Sequence, residues 1–188
     1  MRAAGGKFNA VLKPGAEAPE FRNLTGTDGK SHSLAEFSEA KVVVLIFTRN
    51  HCPFSQKYEP RIRKIVHDFG GRGVAFAAMN SSHKPGEDLA AMRKNAEQNV
   101  WKFPYLKDET QQVARAYGAT VTPQFFILGP ASSGGIRKVV YYGALDDHPQ
   151  EEKVQEPYLR RALEAVLAEK TPEVEESLGV GCELSLKD

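Results

Sequence analysis

The sequence predicts an α/β fold: a mixed central sheet with helices on both faces and an N-terminal hairpin extension. Three observations carry that prediction. Val42-Val43-Val44-Leu45-Ile46-Phe47 is an unbroken apolar run with no polar alternation, the pattern of a central strand covered on both faces. Strand-like and helix-like segments alternate after it. The alternation ends in two strand-like runs joined by Pro130-Ala131-Ser132-Ser133-Gly134-Gly135, which suits an antiparallel turn, and then in a last helix.

Taken in order, the elements follow from local chemistry. Residues 1–14 are rich in Gly, Ala and Lys and read as an extended arm. Thr27-Asp28-Gly29 is a turn signal inside residues 23–30, which predicts a small hairpin. Ser33 and Glu36 form a capping box on a short helix. After the central strand, Phe54, Tyr58, Ile62, Ile65, Val66 and Phe69 recur at three- and four-residue steps until Gly70-Gly71, predicting a helix of about five turns. Residues 74–79 read as a second apolar strand, and 88–100 as a helix with Leu89, Met92 and Ala96 on one side. Tyr105-Leu106 is a short strand, and Asp108 can cap the helix through Val113, Ala114 and Tyr117. Residues 123–128 and 138–142 are the two late strands, and 158–168 the last strong helix. Residues 15–170 thus form one domain, and 171–188 a tail carrying Cys182.

Composition narrows the function. A chain of 188 residues, 41% hydrophobic and 26% charged, can bury one sizeable core. Its 25 basic and 24 acidic side chains nearly cancel with no like-charged block, which points away from nucleic acid and toward a small substrate or another protein. No stretch reaches the roughly 18 apolar residues of a membrane span. The start Met1-Arg2-Ala3-Ala4-Gly5-Gly6 lacks the apolar middle of a signal peptide. A soluble protein is expected, cytoplasmic or a processed periplasmic form. Two cysteines make neither a disulfide scaffold nor a zinc site, and the five histidines lack metal-ligand spacing, so no metal or cofactor is expected.

The residues that point to chemistry surround Cys52. It falls between the central strand and the long helix, and Pro53 stands where proline is preferred, at the first helical position. A sulfur at a helix N-terminus meets unpaired amides and the positive end of the macrodipole, which favour the thiolate, the nucleophilic form. Arg49 and His51 are close enough in sequence to add positive charge, and Ser55 to add a hydrogen bond. An inert buried thiol is the bland alternative, since free cysteine is often buried. Thr122-Pro123 opens a strand, which proline tolerates there.

Together these residues resemble the thioredoxin superfamily, in the redoxin branch related to alkyl hydroperoxide reductases and thiol-specific antioxidants. The sequence is closest to a bacterial thioredoxin-like subgroup with Asn-His-Cys-Pro, Pro-Tyr-Leu-x-Asp-Glu-Thr-Gln, Thr-Pro and C-terminal Gly-Cys segments. Here they are Asn50-His51-Cys52-Pro53, Pro104 to Gln111, Thr122-Pro123 and Gly181-Cys182. The resemblance implies a thioredoxin fold, with Cys52 as the attacking sulfur. It implies that Pro123 is a cis-proline whose loop, with Thr122, Asn50 and Pro53, accepts the extended backbone of a substrate. Two positions depart from the pattern. A thioredoxin has a second cysteine where Ser55 stands, and many subgroup members have one where Arg49 stands.

Cys52 therefore lacks a local partner and can form a mixed disulfide or a sulfenic acid, with Cys182 the one internal candidate to resolve it. The other outcomes for Cys182 are a free tail thiol or pairing with another chain. The expected function is a thiol-dependent oxidoreductase acting on a protein thiol or disulfide, or on a small peroxide, with an external thiol reductant. A peroxiredoxin-like peroxidase and a redox-inactive binding module are the alternatives. Asp146-Asp147 is expected to be a solvated turn, and Trp101, Phe103 and Tyr105 a packing patch.

Overall fold

The run from Val42 to Phe47 is the middle of the molecule: every one of its six side chains is buried. The computed structural model describes residues 5–187; residues 1–4 of the N-terminal arm and residue 188 lie outside them. The strands are β1 (Leu24–Gly26), β2 (Ser31–His32), β3 (Val42–Phe47), β4 (Val74–Asn80), β5 (Tyr105–Lys107), β6 (Val121–Thr122), β7 (Gln124–Leu128), β8 (Val139–Gly143) and β9 (Cys182–Glu183). The helices are α1 (Pro53–Gly70), α2 (Leu89–Gln98), α3 (Gln112–Tyr117) and α4 (Tyr158–Leu167).

Seven strands form one sheet in the order β2-β1-β5-β4-β3-β7-β8, and β6 and β9 pair separately. β3 is parallel to β4 and antiparallel to β7, so the sheet is mixed as predicted. β5, β4 and β3 are its parallel core, and β1-β2 add the N-terminal hairpin at one edge. Each face buries its own cluster. One holds Val42, Val44 and Ile46 with Tyr58, Ile62 and Phe69 of α1 and Leu159 and Leu163 of α4. The other holds Val43, Leu45 and Phe47 with Val113, Ala114 and Tyr117 of α3. Alternate residues of one strand thus feed two cores, which is why no polar alternation survives in its sequence.

The helix ends behave as their chemistry requires. Asp88 caps α2 by accepting from Ala91 N at 3.0 Å, and the Asp108 carboxylate accepts from Val113 N and Ala114 N at 3.3 and 2.9 Å. α1 runs on through Pro60, although proline withholds one backbone donor there. The burial of Tyr58, Ile62, Ile65 and Phe69 along one face holds the helix together across it.

Two segments differ from their sequence reading. Asp146 is no solvated turn residue: it is 3% exposed and receives a hydrogen bond from Arg61, which also donates to the His148 and Pro149 carbonyls at 3.0 and 2.9 Å. Burial pushes the Asp146 carboxyl up, against the pull of the Arg61 charge. The C-terminal segment, a tail in the sequence reading, is tied to the domain. Glu176 bridges Tyr142, Ser177 Oγ meets Tyr141 OH at 2.7 Å, and β9 pairs antiparallel with β6.

Candidate active site

Cys52 is the N-cap of α1 and Pro53 its first residue. Its sulfur accepts from Ser55 N at 3.4 Å, one of the amides a helix start leaves without an internal partner. The chain reaches this point from the buried end of β3, so strand and helix together hold the thiol at the carboxyl edge of the sheet.

A second segment closes over it. The Thr122-Pro123 peptide is cis, and the Thr122 carbonyl oxygen lies 3.0 Å from Cys52 Sγ. β6 ends at Thr122, and the residue opposite Thr122 in the ladder is Cys182. The Cys182 thiol consequently stands beside the Cys52 sulfur, with no disulfide between them. The Arg49 guanidinium acts on both sulfurs, and its Nε is buried without a hydrogen-bond partner. Cys52 itself has no exposed surface, while Cys182 is half-buried.

Burial raises the Cys52 pKa, but the Cys182 thiol, the Thr122 side chain and the Ser55 amide and hydroxyl outweigh it, and the thiol is lowered to about 7. The Thr122 carbonyl works in the opposite sense, because it can accept only from the protonated sulfur. For Arg49, burial disfavours the charge, yet the two neighbouring cysteines raise its pKa overall. Near neutral pH the site therefore holds a substantial thiolate fraction beside a fixed cation.

Of the residues singled out in the sequence, the fold brings Cys52, Cys182, Arg49, Ser55, Thr122 and Pro123 together. Three others face elsewhere. His51 is 65% exposed and reaches Glu87 Oε1 through Nδ1 at 3.2 Å, so the charge beside the sulfurs belongs to Arg49. Asn50 is consumed by the scaffold: its Nδ2 donates to Gly86 O at 2.9 Å and its Oδ1 accepts from Tyr105 OH at 3.0 Å. Pro53 starts the helix with its ring exposed.

The residue that organises this turn has no sequence signature. Glu87 is 1% exposed, and its carboxylate accepts from Asn50 N at 2.8 Å, His51 N at 3.0 Å and Asn80 Nδ2 at 2.8 Å. It thereby fixes the backbone just ahead of Cys52. Glu87 lies in an aperiodic loop beside Gly86, where an acidic residue ordinarily means solvent exposure. Gln111 closes the Pro104–Gln111 segment, but its role is visible only in the fold: its side chain donates to Ser81 O and Ser185 O at 2.7 and 3.1 Å and accepts from Lys187 N at 2.8 Å, fastening the chain beyond β9.

A cysteine of lowered pKa, facing a second thiol across a cis-proline loop, places the molecule among thioredoxin-fold oxidoreductases. Residues 14–139 match the AhpC/TSA family, and the chain belongs to that family. It is 28% identical over 126 residues to the thiol-disulfide oxidoreductase ResA of Geobacillus thermodenitrificans (strain NG80-2), covering 67% of this chain and 68% of that protein. It is 32% identical over 126 residues to a Mycobacterium tuberculosis (strain ATCC 25618 / H37Rv) protein provisionally named a peroxiredoxin, covering 67% and 75%. An uncharacterized conserved protein of Geobacillus kaustophilus superimposes with TM-score 0.85 at 32% identity, over 95% of each chain. The thioredoxin domain of an oxidoreductase from Bacteroides vulgatus shares the fold, with TM-score 0.55 at 20% identity over 68% of this chain and 88% of that one.

Proposed function

We propose that the protein exchanges disulfides with a protein partner, with Cys52 as nucleophile and Cys182 as the resolving thiol. The observation that carries this is the pairing of Cys182 with Thr122, which sets the second thiol beside the first. The Cys52 thiolate attacks one sulfur of a partner disulfide, and the other partner sulfur leaves as a thiolate and takes up a proton. Cys182, losing its proton to solvent, then attacks Cys52 Sγ, the mixed disulfide breaks, and the second partner sulfur is released. The partner has gained two electrons and two protons, and Cys52–Cys182 has become a disulfide. Two equivalents of an external thiol, leaving joined as a disulfide, return it to the starting state.

Arg49 supports the cycle in both steps, since its charge offsets whichever sulfur is ionised. Ser55 supplies a backbone donor to the nucleophile at the place where a thioredoxin keeps its own second cysteine. The resolving role has moved from the helix to the far end of the chain.

The kinship with a protein named a peroxiredoxin supports a second reading, in which Cys52 attacks a peroxide oxygen. An alcohol or water leaves, and Cys182 condenses with the resulting sulfenic acid, releasing water. Both readings end in the same disulfide, so the test is the oxidant. The fully reduced protein is mixed with one equivalent of a disulfide-bonded protein or of hydrogen peroxide, quenched in acid, and its peptides mapped without reductant. The proposal expects the Cys52–Cys182 disulfide to form faster with the protein disulfide. Faster oxidation by peroxide selects the peroxidase, and a Cys52 left unmodified by both overturns both readings.

A further inference from the structure

Cys52 has no exposed surface, and the C-terminal segment lies against it through Cys182. That segment is a strap fastened at both ends. Upstream, Ser177 N donates to Tyr142 O at 3.0 Å and Ala144 N to Ser177 Oγ at 3.0 Å. Downstream, Leu184 is buried in the second core, its amide donates to Thr120 O at 2.8 Å, and Gln111 holds Ser185 and Lys187. The stretch between the fastenings is less secured. It has no regular element before β9, and Leu178 and Val180 point apolar side chains outward, 62% and 44% exposed.

Among the described residues β6 has β9 as its sole strand partner. A strand laid on that edge in this register puts the side chain opposite Thr122 onto the Cys52 sulfur. The approach is close. A Cβ at position 181 would stand 2.1 Å from Thr122 O and 3.2 Å from Pro123 N, so only glycine fits immediately before the paired cysteine.

We propose that the strap is the built-in occupant of the site at the Thr122-Pro123 loop where the family resemblance already implies an extended substrate backbone, and that a partner enters by displacing it. The strap is also the template for what can enter: an extended segment with glycine directly before the cysteine that meets Cys52. Main-chain pairing supplies the general affinity and the glycine supplies the selection. The inference rests on Cys52 being the nucleophile, and the test separates the two claims.

The Cys182→Ser protein carries Cys52 as its single thiol, and alkylation by iodoacetamide reports strap opening. Adding Gly181→Ala, which forces a Cβ against the Thr122 carbonyl, is expected to speed alkylation by about tenfold or more, the scale on which an overpacking contact shifts a local equilibrium. A nine-residue peptide with the sequence of residues 178–186 and serine for Cys182 should slow that reaction again, and the same peptide with alanine for Gly181 should not. Equal rates with and without Gly181→Ala, or equal effects of the two peptides, overturn the proposal. Hydrogen exchange of the unaltered protein guards against a misfolded variant. The Leu184 amide should exchange by local opening while the β3 amides wait for global unfolding, and joint exchange of the two sets overturns strap displacement. The pH midpoint of Cys52 alkylation in the unaltered protein, followed on its own peptide, reports the nucleophile separately: with Cys182 still beside the sulfur, an ordinary thiol would give about 8.5 whatever the rate of strap opening.

Discussion

Thr122 stands opposite Cys182 in a two-residue antiparallel ladder while its carbonyl oxygen sits 3.0 Å from Cys52 Sγ. One backbone position thus touches both thiols, one through its carbonyl and one through strand pairing. The chemistry proposed for this chain depends on that coincidence, and the following outcomes depend on it or on its supports.

Cys52 alkylation, followed by mass spectrometry of its own peptide, is expected to show a pH midpoint of about 7, where burial is outweighed by the donors around the sulfur. Arg49→Met removes the cation beside it and should raise the midpoint by about one unit. An unchanged midpoint would assign the lowering to the Cys182 thiol, the Thr122 side chain and the Ser55 amide and hydroxyl.

The same shift has a sign in stability. The folded-state value of about 7 lies below the roughly 8.5 of an unfolded thiol, so the folded chain binds fewer protons between those values. The contribution is complete above the unfolded value and disappears as pH falls through the folded one. Urea titrations at about pH 6 and about pH 9 should show the stability difference between the wild type and Cys52→Ser growing in favour of the wild type at the higher pH, by on the order of 1–2 kcal/mol.

Glu87→Ala leaves the Asn50 and His51 amides and the Asn80 side chain without their acceptor. Burying such orphaned donors costs about 1–3 kcal/mol each when water cannot reach them, so a loss of about 3 kcal/mol is expected in urea denaturation. Glu87→Gln retains one carbonyl acceptor and should lose less. If both variants match the wild type, the turn before Cys52 does not depend on this carboxylate.

Asp146→Ala strands the buried Arg61 guanidinium, whose side chain is stacked 4.1 Å from the Tyr58 ring centre. Removing one partner of a buried ion pair costs about 3–5 kcal/mol, and thermal and urea unfolding should both register it. Cys52 alkylation is the control: it should keep its pH midpoint, since the pair lies away from the sulfurs. A shifted midpoint would reveal coupling between the α1 face and its N-terminus.

The legibility of the chain divides along the range of the forces involved. The order of strands and helices, the two-faced burial of β3, the Ser33–Glu36 capping box and the placement of Cys52 at a helix start are all carried by neighbours within a few residues, and periodicity and capping chemistry record such neighbours. Asp146 and Glu87 escaped because a buried carboxylate is satisfied by donors supplied from elsewhere in the chain, Arg61 in one case and Asn50, His51 and Asn80 in the other. No local pattern distinguishes them from solvated acids. The placement of Cys52 between the central strand and a helix start was therefore readable from residues 42 to 53. The covering of Cys52, and the arrival of Cys182 beside it, were decided in three dimensions, because the ladder between β6 and β9 joins residues far apart in the chain, held there by the Glu176–Tyr142 bridge and by Leu184 in the second core.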